Sequence, residues 1–224
     1  MISARGVATT AVMVGLFLAV AQQAGATSSL QDGFSATLNP SGEWSWGYSS
    51  VLGSFTPFPW HGTNECGSPC WTPGPGSFPV LWENTTGGTV NGVAPGQVAL
   101  HPADGPWKAT VRWTSPVQTE LSIVGQFWAG NYGLVDVYVL ETTAGGTATL
   151  FSVHGTPSSQ SFSLTTSVNA GDAIDFVVGC YDGYYFDDTP LNVNITPIPE
   201  PLTMLGLTLS LGSISVYVRK RRLK

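Results

Sequence analysis

Charge is scarce in this sequence, and positive charge is scarcer still. Only 10% of the 224 residues are Asp, Glu, Lys or Arg. Arg5 stands near the start, and five of the eight bases fall between Arg219 and Lys224. Lys108 and Arg112 are therefore the only basic residues from Thr27 to Ile198, against thirteen Asp and Glu. Nucleic-acid binding needs Lys and Arg to neutralise phosphate, and this stretch lacks them. The same stretch shows no apolar repeat at the 3.6-residue spacing of a helix. A Gly-x-Ser-x-Gly elbow, a His-Glu-x-x-His zinc motif and a phosphate-binding glycine loop are also missing.

What the chain has in quantity is Gly (27), Pro (16) and Trp (8). Aromatic and β-branched residues fill strands while Gly and Pro punctuate them, so the mixture points to an all-β protein. Short alternating segments recur, among them "EWSWGYSS", "QVALHP", "KATVRWTS", "LVDVYVLETT", "DAIDFVVGC" and "PLNVNIT". About ten such strands in one domain, residues 27–196, predict an antiparallel β-sandwich of jelly-roll type. A hairpin is expected between "VYVLETT" and "TATLFSV", with Gly145-Gly146 at its tip. Residues 53–77 are too rich in Pro and Gly for one continuous strand, and an excursion of that kind often walls a binding site. Inside it, Cys66 and Cys70 fit a small disulfide loop in an exported protein. A zinc half-site with His61 is the alternative, although a tetrahedral site needs four ligands. Cys180 is left over.

The two ends carry addressing features. Arg5, an apolar run to Ala21 and Ala24-Gly25-Ala26 read as a signal peptide over 1–26. Residues 202–218 contain no charge, just enough to cross a bilayer as a helix. The basic tail, residues 219–224, begins with Arg219, Lys220, Arg221 and Arg222, which would hold that end in the cytoplasm.

Pro199-Glu200-Pro201, the apolar segment and the basic cluster together resemble the PEP-CTERM sorting tag of Gram-negative bacteria, over residues 197–224. The resemblance implies an exosortase-type membrane enzyme as partner, an inner-membrane-anchored precursor and delivery to the cell surface or an extracellular polysaccharide matrix. Leu202 stands where that family usually has a small polar residue. The phrases "NPSGEWSWGY", "NTTGG", "VALHP", "VRWTSP" and "AGDAIDFVVG" also make residues 37–195 similar to jelly-roll ectodomains akin to carbohydrate-binding modules.

Such modules often hold a structural calcium near the last strand, which directs attention to "CYDGYYFDDTPLNVNIT". Asp188 leads as a ligand and Asp187 follows, because calcium collects carboxylate and carbonyl oxygens. An acidic solvated loop with Asp capping a turn is the competing reading. Sugars stack on aromatic rings beside polar groups. Trp60 and Trp71, which bracket the proline-rich excursion, are the expected ligand platforms. The expected function is that of a non-catalytic envelope or matrix protein, structural or glycan-binding. The alternative is a secreted, glycoside hydrolase-like enzyme using a carboxylate pair drawn from Asp136, Glu141, Asp172, Asp175, Asp187 and Asp188.

Overall fold

The alternation seen in the sequence becomes two antiparallel sheets in a computed structural model, which describes residues 26–199. In chain order come β1 (Ser28–Ser29), a single helical turn α1 (Leu30–Gly33), β2 (Trp44–Ser49), β3 (Thr56–Pro57) and β4 (Trp60–Thr63). Next are β5 (Pro69–Thr72), β6 (Val80–Glu83), β7 (Val98–His101), β8 (Lys108–Thr114) and β9 (Thr119–Phe127). The last five are β10 (Val135–Thr143), β11 (Gly146–Thr156), β12 (Gln160–Val168), β13 (Ala173–Cys180) and β14 (Thr189–Ile198). One sheet runs β12-β9-β14-β7-β6-β5-β4, with β1 added to β14; the other runs β11-β10-β13-β8-β2-β3.

Each strand places alternate residues on the shared core, as the two-residue period requires. Trp46, Leu81, Leu100, Val111, Ile123 and Phe176 meet there with essentially no exposure. Trp44 donates its indole N–H to Ser28 Oγ (2.9 Å) and Trp46 donates to the Leu38 carbonyl (3.1 Å), so both rings enter the core with their polar atom satisfied. On the outer side of the second sheet, Arg112 grips the buried Asp175 through two parallel bonds of 2.6 and 2.7 Å and lies over the Phe55 ring.

Two expectations need adjustment, and one, the broken course of residues 53–77, is met. The β10–β11 turn is Ala144-Gly145, with Gly146 already paired to Thr143. Residues 53–77 are broken into β3, β4 and β5, and the β4–β5 hairpin extends the larger sheet. The expected Cys66–Cys70 bridge is absent and all three cysteines are free. Cys70 points from β5 into a small apolar cluster with Val80 and Trp82, whereas Cys66 is exposed in the hairpin turn.

Among the described residues no helix is long and apolar enough to cross a membrane. The signal peptide, apart from Ala26, and the spanning segment 202–218 lie outside the described residues. So do Glu200, Pro201 and the basic cluster. Pro199 follows directly on β14.

Candidate functional site

The outward face of the larger sheet turns aromatic over β4 to β7. Cross-strand register sets Trp60 opposite Thr72, Cys70 opposite Trp82, and Val80 opposite His101, all on that face. Two loops rise over it. One follows β6 and closes on the dipeptide Asn91-Gly92, both residues with positive φ, between the mutually bonded Val90 and Val93. This is the Asn-Gly signature of a tight reversal. Gly92 is required twice over, because a Cβ there would meet the Gly130 carbonyl oxygen at 1.9 Å. The other loop, Tyr181–Asp188, leads into β14 and presents Tyr185 and Phe186 to solvent.

Between sheet and loops lies a concavity of about 410 Å³, lined by Trp60, Phe78, Trp82, His101, Tyr185 and Asp188. Polar side chains of Thr63, Asn64, Thr72, Ser77, Asn91 and Asn131 also line it, with the carboxyl of Glu65 among them. A volume of this size falls within the range of small-ligand sites, roughly 300–1,000 Å³. Its floor is rigid: Trp82 is buried and donates its indole N–H to Asp188 Oδ1 at 2.8 Å. Burial raises the Asp188 carboxyl above its ordinary value, while His101, Trp82 and Asn91 each favour its charged form. His101 donates through Nδ1 to the Pro102 carbonyl at 2.8 Å, since a carbonyl can only accept. Phe78 packs against the His101 ring at 4.8 Å.

The same sheet face continues over β14, β9 and β12, where Asn192 lies opposite Gln126 and Gln126 opposite Ser161. Trp128 borders this shallower groove, and no charged side chain lines it.

Among solved structures, the chain is similar to carbohydrate-binding modules. A family 35 module from an environmental isolate shares 16% identity over 53% of this chain and 87% of its own, with a TM-score of 0.32. A family 29 module shares 12% over 49% and 77%, with a TM-score of 0.33. An isomalto-dextranase of Arthrobacter globiformis, complexed with panose, shares 11% over 68% of this chain and 23% of its own, with a TM-score of 0.30. No protein-family model and no curated protein matches the chain.

The expected site residues are divided by this geometry. Trp60 lines the concavity, but Trp71 does not. Its neighbours Cys70 and Thr72 occupy the outward face, so strand alternation sends Trp71 into the core, 4% exposed, with its N–H on the Ser35 carbonyl (2.7 Å). Nothing in the sequence sets Trp82 apart from the other tryptophans or His101 from a strand-end histidine, and Phe78 has no signal of its own; of the residues that join the site only Asn91, in its Asn-Gly turn, is marked locally.

Asp187 and Asp188 are separated as well. Asp188 faces the aromatic concavity, while Asp187 turns to a narrow cavity on the other side of the segment, with space for about one water. Asp187 is 1% exposed and neither carboxylate oxygen has a partner. Burial pushes its carboxyl up to about 7, and the charges of Asp182 and Asp188 add to this. Among the described residues no three His, Cys, Asp or Glu side chains converge as a metal cluster.

The other carboxylates of the expected catalytic set are engaged elsewhere. Asp175 serves Arg112, Asp172 accepts from the backbone of Asn169 (2.8 Å), and Glu141 accepts from Thr166 Oγ1 (2.8 Å). Asp136 accepts from the Gly155 backbone (2.9 Å) beside Tyr138, whose hydroxyl is pushed up to about 12, first by burial and then by Asp136.

Proposed function

We propose that this chain is a non-catalytic glycan-binding protein of the cell envelope or extracellular matrix, whose ligand seats against Trp60 and the exposed rings of Phe78 and Tyr185. The observation that carries the reading is the convergence of aromatic surfaces with neutral hydroxyl and amide groups in one preformed concavity. Sugar rings offer an apolar face for stacking and hydroxyls for hydrogen bonds, and such a lining answers both needs. The uncharged groove around Gln126, Trp128 and Asn192 supports a ligand of several sugar units.

The test is binding of the purified protein to a panel of polysaccharides and their oligosaccharides. Saturable binding that Trp60→Ala abolishes supports the reading. A folded protein that binds none of them overturns it. Bond cleavage in a bound glycan would transfer the site to the hydrolase class, with Asp188 and Glu65 as the carboxyls of the concavity.

Export belongs to the same proposal. The signal peptide, Pro199-Glu200-Pro201, the apolar segment and Arg219-Lys220-Arg221-Arg222 support delivery through an exosortase-type enzyme. Expression in a Gram-negative host with and without that enzyme tests this: loss of the tail should require the enzyme and fail in Glu200→Ala.

Calcium enters the proposal at Asp187, because Asp188 is already bonded to Trp82. A calcium titration of the melting temperature at alkaline pH tests it. Stabilisation lost in Asp187→Asn supports an ion there, and an unchanged melt removes the ion from the reading.

A further inference from the structure

A two-sheet sandwich has four edge strands, and unpaired edges invite pairing with another chain unless they are blunted. Among the described residues the two-residue β1, paired only with β14, adds a short fifth edge, and three of the four main edges are blunted. β3 has only two residues, one of them proline, and β4 has four. β11 is long but irregular. Its register against β10 slips at two places, Val135/Val137 and Val139/Leu140, and such bulges twist an edge away from a partner. The fourth edge, β12, carries none of these devices. It pairs with β9 over nine residues in unbroken register. Its sequence, "QSFSLTTSV", contains no charge and no proline.

The pattern on β12 is also symmetric. Ser161, Ser163, Thr165 and Ser167 are all exposed and stand at equal steps on either side of Leu164. Leu164 itself is half-buried against the core. We infer that β12 pairs antiparallel with β12 of a second copy of this chain about a two-fold axis at Leu164, forming a closed dimer with one continuous sheet. In that register Ser161 faces Ser167 of the copy and Ser163 faces Thr165, so hydroxyl-bearing residues meet on one face while Leu164 meets itself on the other. Cross-strand Ser/Thr pairs are favourable neighbours. An isologous contact needs such self-complementarity, and a heterologous partner would not. The blunted edges elsewhere stop growth at two copies.

The experiment is sedimentation of the full chain across a range of concentration, with two variants whose fold is checked by circular dichroism. The unaltered chain should reach twice its monomer mass. S163K/T165K sets like charges directly opposite across the axis and should halve the apparent mass. S163K/T165E sets opposite charges there and should restore the dimer. A chain that stays monomeric at every concentration overturns the inference. So does a dimer that S163K/T165K leaves intact, or a S163K/T165E variant that remains monomeric. Ser163 also borders the shallower groove, so glycan binding is read separately with a short oligosaccharide at the Trp60 concavity, which holds neither substituted residue; loss of the dimer and loss of that site are then distinguishable.

Discussion

The indole N–H of Trp82 meets Oδ1 of Asp188 at 2.8 Å, joining the floor of the aromatic concavity to the loop that forms its wall. Trp82 is on β6 and Asp188 precedes β14, so this bond fixes a long-range junction. Trp82→Phe keeps the ring but leaves a buried carboxylate short of a donor. The expected cost is about 1–3 kcal/mol in urea unfolding at neutral pH. Because the indole favours the charged form of Asp188, the cost should shrink in acid, where the carboxyl is neutral.

Trp60 and Trp71 should respond oppositely to truncation. Trp60→Ala should weaken glycan binding with little change in stability. Trp71→Ala should cost about 3–5 kcal/mol as a core cavity, and calorimetric titration of the surviving folded fraction should show affinity retained. Affinity lost in Trp71→Ala alone would contradict the placement of the two rings.

Asp187 predicts a pH slope of uncommon sign. Its carboxyl titrates near 3.8 when unfolded and at about 7 in the fold, so between those values the native state holds a proton that the unfolded state has released. Stability should fall as pH rises from about 4 to about 7, by on the order of a few kcal/mol, and then level off. Denaturant unfolding in chelator measures this, and Asp187→Asn should flatten the slope.

The Arg112–Asp175 pair should be worth most to the fold when broken one-sidedly. Arg112→Met strands a 1%-exposed carboxylate, at an expected cost of about 3–5 kcal/mol. The double variant with Asp175→Leu should recover most of it in thermal melts, because the buried charge has gone as well.

Thiol counting checks the cysteines. Under native conditions Cys66 should react readily with an aromatic disulfide reagent, whereas Cys70, which burial also pushes above the ordinary thiol range, should need denaturant. A native protein with no reactive thiol at Cys66 would restore the bridge.

Strand alternation makes most of the sandwich legible in the sequence. "QVALHP" and "KATVRWTS" contain β7 and β8, and "PLNVNIT" runs along β14. The period of two states that Cys70 and Thr72 share a face and that Trp71 opposes them. It cannot state which face is inside, because that depends on β6 and β7 arriving beside β5. Proximity in sequence to the proline-rich excursion was therefore a poor guide to Trp71. The Asn91-Gly92 turn was readable locally, but its role at Asp188 depends on Gly130 lying against Gly92, a contact between distant loops. The division of labour between Asp187 and Asp188 has the same origin: adjacent residues in an extended segment face opposite sides, and only the packed surroundings distinguish them.

Arg112 has one more consequence, and it concerns what this protein turns away. Its guanidinium is fully committed to Asp175 and the Phe55 ring, which leaves Lys108, tethered to the Pro106 carbonyl, as the only other cation among the described residues. Even with Asp172, Asp175, Asp187 and Asp188 buried, the remaining acidic residues leave a surface with almost nothing to attract an anion. Uronate-bearing or sulfated polymers should be held off by this field, and more strongly at low salt. Under the proposed glycan-binding reading neutral chains would approach without hindrance, so part of the selectivity would be written in the side chains the protein does without.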